Sequence, residues 1–145
     1  EVGLSSSPLY LSSEFSEYIT QAKSSLSKEG FIPETPILDM SGRLPGFIYA
    51  IKGKNFGHPW MAGGYPGSNA FARRILTDIP STSLEKVWIL LEKDGPRSLD
   101  IESTLAELKL DYLNEKKYKK VFEKKSTTNK VIPNKLGHLI IYKPI

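Results

Sequence analysis

Six residues in one stretch of this 145-residue chain combine types and spacing suited to ligand chemistry: Asp39, Arg43, His58, Trp60, Tyr65 and Ser68. Asp39 to Gly46 reads Asp-Met-Ser-Gly-Arg-Leu-Pro-Gly and follows a short apolar run, so it is expected just beyond a strand end. In open α/β sheets ligands collect there. A carboxylate such as Asp39 can orient a sugar hydroxyl, and a guanidinium such as Arg43 can grip an anion through two parallel hydrogen bonds. Asp, Ser and Gly also cluster in plain turns, and that reading stands beside the first.

His58 to Asn69 reads His-Pro-Trp-Met-Ala-Gly-Gly-Tyr-Pro-Gly-Ser-Asn. Its glycines let a backbone pass close to a ligand, and it leads into a helix whose free N–H groups attract anions. Trp60 and Tyr65 offer flat faces on which a sugar ring can stack. Ser68 is placed either to contact a ligand or to cap the helix, and capping suits its residue type. The pattern lacks the Gly-Lys-Ser/Thr ending of a phosphate loop, and its glycine spacing is not that of a dinucleotide fingerprint. Asp39, His58 and Ser68 supply the residue types of a nucleophilic triad, but no nucleophile-elbow motif surrounds Ser68. No pair of carboxylates stands out for glycoside hydrolysis.

The totals narrow the classes further. Hydrophobic residues at 39% and charged residues at 25% suit one folded domain rather than a disordered chain. Zero cysteines remove disulfides and thiolate chemistry, and two histidines make a His-rich metal site implausible, so neither metal nor cofactor is expected. The net charge of +4 is too diffuse to name nucleic acid as a partner. No apolar run approaches the ~20 residues that span a bilayer.

These residues must be positioned by the elements around them. Phe15, Tyr18, Ile19, Ala22 and Leu26 recur at helical spacing over 13–27, with Ser12 or Ser13 to cap the helix and Gly30 to stop it. Pro36 to Met40 reads as a buried strand, and Gly46 to Lys52 as a second strand with Phe47, Tyr49 and Ile51 on one side. A loop follows over 53–67, then a helix from Ser68 to about Asp78 with Ala72, Ile75, Leu76 and Ile79 on one face. Val87 to Leu91 (VWILL) is a central strand buried on both faces, and a further helix is expected near 99–108. Tyr118 to Lys125 and His138 to Lys143 should pair antiparallel through a long hairpin. Lysines 116, 117, 119, 120, 124 and 125 around the first of these strands suggest RNA or anionic lipid, or a solvated edge that repels further strands. Glu115 and Glu123 dilute the charge and favour the edge.

The order α-β-β-α-β-α-β-β predicts an α/β three-layer sandwich, its mixed sheet parallel at the centre and antiparallel at the C-terminal edge, in the manner of Rossmann-like and flavodoxin-like folds. The path from the first strand through the Ser68 helix to VWILL has the length of a right-handed crossover. Residues 1–12 read as a Ser-rich linker or flexible tail and 13–145 as a single domain. The opening on Glu1 suits an excised domain.

The succession Pro-Ile-Leu-Asp-Met-Ser-Gly (36–42), Pro-Gly (45–46), His-Pro-Trp (58–60), Gly-Gly-Tyr-Pro-Gly-Ser (63–68) and the closing Leu-Ile-Ile-Tyr-Lys-Pro (139–144) resembles the extracytoplasmic C-terminal domain of polytopic bacterial membrane proteins of the surface-glycan, integral-membrane glycosyltransferase type. The resemblance covers about 13–145. It implies a parent that spans the membrane before residue 1 and holds most of the catalytic residues there. This domain would then sit on the extracytoplasmic face as an accessory module, positioning a glycan or lipid-linked sugar and not acting as a catalyst by itself. A small stand-alone α/β enzyme acting on a phosphorylated or sugar substrate is the alternative, and an interaction module using the basic tail a third reading.

Overall fold

A computed structural model describes residues 2–4, 7–59, 61, 65–93, 116–125 and 137–145. Within the N-terminal segment expected to be linker, β1 (Val2–Leu4) and β2 (Ser7–Leu9) pair antiparallel in a small sheet of their own. Helix α1 (Ser13–Lys28) then opens on Ser12, whose hydroxyl accepts the Phe15 N–H at 3.3 Å. It closes on Gly30 at φ +87°, with Gly30 N–H donating to Ser27 O and Phe31 N–H to Leu26 O. That is the Schellman arrangement, in which a left-handed residue lets two orphan carbonyls find donors. Leu26 and Phe31 also share one core cluster, which completes the stop with an apolar contact.

The main sheet has the order β4-β3-β5-β7-β6. Strands β3 (Pro36–Asp39), β4 (Lys54–Phe56) and β5 (Trp88–Lys93) run parallel, whereas β6 (Tyr118–Lys124) and β7 (His138–Pro144) form the expected antiparallel C-terminal edge. β5 is buried from Trp88 to Glu92, as a central strand covered on both faces must be. The strand alternation sorts the core into two clusters. Ile37, Trp88, Leu90, Leu139 and Ile141 pack under α1 and α2 (Pro45–Ala50). Leu38, Met40, Ile89, Leu91 and Ile140 pack under α3 (Ser68–Thr77) and the short α4 (Ser81–Leu84). The result is a three-layer α/β sandwich.

One expected strand is a helix. The sequence of Gly46 to Lys52 suggests period two, yet Phe47, Ile48, Ala50 and Ile51 are all buried while Tyr49 is only half-buried. That spacing belongs to a helical face. Pro45 supplies the first helical position, where its missing N–H is not needed, and the run is too short for its pattern to separate strand from helix. The turn after it places Lys52 at φ +64°. Gly53 follows because a Cβ there would lie 3.0 Å from Ile37 Cδ1. Strand β4 begins at the next residue, inside a segment expected to be loop.

At the outer edge β6 carries a bulge between Lys120 and Phe122, with Val121 unpaired. The extra residue flips the alternation, so Tyr118 joins the cluster under α3 while Phe122 joins the one under α1. Lys119 and Lys120 stay exposed and pair with Glu29 and Glu123. Lysines and a bulge on an edge strand discourage pairing with a second chain. The helix expected near 99–108 lies outside the described residues.

Candidate functional site

The chain leaves neighbouring parallel strands in opposite directions. After Asp39, β3 continues into α2 on one face of the sheet; after Phe56, β4 continues into α3 on the other. The strand order itself reverses one position over, between β3 and β5, so the loop after β3 borders the place where open α/β sheets take ligands. The two departing segments are those singled out by their residue types, 39–46 and 58–69.

In the first segment, Asp39 serves the turn with one oxygen only. Its Oδ1 accepts the Ser41 N–H at 2.9 Å and the Ser41 hydroxyl at 2.5 Å. The Ser41 Oγ accepts the Arg43 N–H at 3.3 Å. Oδ2 is buried and has no hydrogen-bond partner; the Leu44 N–H bears on the carboxylate without reaching hydrogen-bond geometry. Burial raises the Asp39 pKa above the usual carboxylate range. The Ser41 donors and the Leu44 amide work against that rise, and the charge of Glu92 adds to it.

Arg43 does grip an anion through two bonds, but the anion is the protein's own. Its Nε donates to Glu92 Oε2 at 2.7 Å and its Nη2 to Glu92 Oε1 at 2.5 Å. Glu92 is fully buried at the end of β5 and takes a third donor, the Gly137 N–H, at 2.6 Å. A Cβ on residue 137 would fall 2.7 Å from Glu92 Oε1, so glycine is required for the backbone to come this close. The triangle ties the loop after β3 to the end of β5 and the start of β7. Sequence alone does not single out Glu92, although an acidic residue ending an apolar strand on a core-facing position is the signal it offers.

The second segment is arranged differently. His58 is exposed, its ring centroid 6.5 Å from that of Phe71. Tyr65 is 46% exposed and its carbonyl accepts the Ser68 N–H at 3.0 Å. Ser68 is buried at the first helical position, and the N-cap is Gly67 at φ +85° with no side-chain cap. The expected capping role for Ser68 is therefore not what the fold uses: the left-handed glycine starts the helix one residue earlier. Trp60 lies outside the described residues. Among those described, no hydrogen bond or ion pair joins Asp39, His58 and Ser68, and Asp39 is buried whereas His58 faces solvent.

One residue not foreseen, Asn55 of β4, lies on the side of the sheet covered by α1 and α2. Asn55 stands opposite Ile37 in the β3–β4 register, which puts it on the same face as Asp39. Both polar atoms of its amide are buried without a hydrogen-bond partner, as is the Tyr18 hydroxyl. Burial, and then the Glu92 charge, pushes the Tyr18 pKa upward. Asn55 was invisible in sequence because it sat in a segment expected to be loop.

Among the described residues no group of three or more His, Cys, Asp or Glu is placed to hold a metal ion. A scan of family models matches no family, and neither the curated proteins nor the solved structures return a match.

Proposed function

We propose that this domain is a ligand-binding module whose site is a crevice at the carboxyl ends of β3 and β4, beside the reversal of strand order. The observation that carries the reading is the divergence of these two strands, which leads the two most unusual segments of the chain away to opposite faces. The half-exposed Tyr65 and the exposed His58 beside Phe71 provide ring surface at the mouth. Asp39 provides hydrogen-bonding capacity at the floor.

The setting we infer is an accessory domain of a bacterial membrane protein in surface-glycan assembly, held on the extracytoplasmic face and positioning a glycan or lipid-linked sugar. The support is the residue pattern over 36–68 and 139–144. No described helix is long and apolar enough to cross a membrane, so attachment in this reading belongs to the parent.

An amide-resolved NMR titration with a panel of neutral sugars tests the site. Shifts confined to 40–46, 55–59 and 65–71 are expected; scattered shifts or none would remove the proposal. Reading the gene upstream of Glu1 tests the setting separately: several apolar spans are expected, and a start codon within a few residues would remove the membrane parent.

The raised pKa of Asp39 favours a second reading, a small enzyme in which Asp39 takes a proton from a sugar or phosphorylated substrate. It requires a second polar group converging on the same ligand atom, and turnover abolished by Asp39→Asn would establish it.

A further inference from the structure

We infer that Asp39 and Asn55 together form a recognition pair for two neighbouring hydroxyl groups on a neutral ligand. The inference rests on the crevice reading above and names what its floor would bind. Buried polar groups in native proteins are satisfied with few exceptions, and an exception calls for a cause. Here three orphaned side-chain atoms belong to two residues on adjacent strands, Asp39 Oδ2 and both polar atoms of Asn55. The register sets Asp39 one pleat beyond Asn55 on the same face. With strands ~4.8 Å apart and ~3.3 Å of rise per residue, their Cα atoms lie about 8 Å apart, a span two short side chains can bridge through one ligand.

The atom types select the ligand. Asp39 Oδ2 exchanges one hydrogen bond with a hydroxyl, accepting when ionised and donating when protonated; the Asn55 amide bonds that hydroxyl and a second one beside it, whichever way the amide is turned. A vicinal diol supplies that set. An anion finds no matching cation there, since the Arg43 guanidinium of the adjoining turn already holds Glu92. A metal cation finds one carboxylate oxygen and one amide oxygen, too few to replace its hydration. The diol can belong to a pyranose or to the ribose of a nucleoside. The polar atoms of the pair are buried in the free protein, so a ligand reaches them only as the side chains around them shift.

The test titrates wild-type protein with methyl pyranosides, with uridine and with inorganic phosphate, following the side-chain NH2 resonances of Asn55 and the backbone amides. Either the pyranosides or uridine should shift the Asn55 resonances, identifying the source of the diol, while phosphate leaves them unmoved. Asn55→Leu, close in shape but apolar, should raise the melting temperature and weaken binding at least tenfold, a trade expected of a functional polar group held at the expense of stability. Asp39→Asn should weaken binding as well. Should the diols shift 65–71 while Asn55 stays silent and Asn55→Leu binds like wild type, the pair is overturned and the crevice survives. A lower melting temperature for Asn55→Leu overturns it too, since the amide then has a structural task. If no diol perturbs the wild-type protein, the pair and the crevice fall together.

Discussion

Beneath α3 and α4 the sheet presents Leu38, Met40, Ile89, Leu91 and Ile140 to Ala72, Leu76 and Leu84, and the Tyr118 hydroxyl there donates to the Leu84 carbonyl at 3.3 Å. Beneath α1 and α2, strands β3, β4 and β5 carry Asp39, Asn55 and Glu92, and the Tyr18 hydroxyl finds no acceptor. The cluster under α1 and α2 is the larger and the richer in aromatic rings, with Tyr18, Phe31, Phe47, Trp88 and Phe122 against Tyr118 and Tyr142, so apolar burial favours that face. The treatment of polar atoms separates the two further. A buried group without a partner costs about 1–3 kcal/mol, and one face accepts several where the other accepts none that the described residues show. The polar face holds the unmet hydrogen-bonding groups, while the side of α3 contributes the exposed rings of His58, Tyr65 and Phe71.

The comparison can be broken most severely at Glu92. Glu92→Leu removes the buried carboxylate that the Arg43 guanidinium and the Gly137 N–H both contact, and a loss of about 3–5 kcal/mol is expected in urea unfolding. A loss under about 1 kcal/mol would show that the triangle is incidental. On the opposite face Leu76→Ala should lose about 2–4 kcal/mol by opening a cavity while leaving ligand shifts at the crevice unchanged. Altered ligand shifts in that variant would show that the two faces are coupled.

Asp39 sharpens the contrast through pH. Its folded pKa is raised, so the folded state holds its proton more tightly than the unfolded chain. Its contribution is therefore fully present below the ordinary aspartate range, near 4, and is lost as pH rises from there through the folded value. Asp39→Asn keeps an oxygen for the Ser41 donors and removes the titration, so its stability should vary less with pH across that window. An unchanged pH profile would show that Asp39 ionises freely in the fold. The smallest effect is expected at Lys52, whose left-handed backbone strains a side-chain-bearing residue. Lys52→Gly should gain about 0.5 kcal/mol, relief of strain partly offset by a more flexible unfolded chain. A loss on that substitution would mean that the lysine side chain contributes contacts of its own.

Much of this was legible before the fold was seen. The stripe of Tyr18, Ile19, Ala22 and Leu26 and the run VWILL are long or apolar enough that burial has one solution. The α2 segment failed because six residues with apolar neighbours satisfy both periods, and only Pro45 distinguished them. Arg43 was legible as a bidentate donor but not its acceptor, since Glu92 is 49 residues away in sequence. Asn55 was not legible at all, because nothing local marks a strand of three residues.

Taken alone, the order of residues determined the α/β class, the two helices at 13–28 and 68–77, the antiparallel C-terminal edge and the segment where the chain is most unusual. Those features follow from local period and turn chemistry, which neighbouring residues encode. Only the tertiary structure decided that β3 and β4 diverge, that Arg43 is occupied by Glu92, and that Asp39 and Asn55 share a face with polar atoms unmet. These depend on strand register and on which side each connection takes, and both are settled by long-range packing.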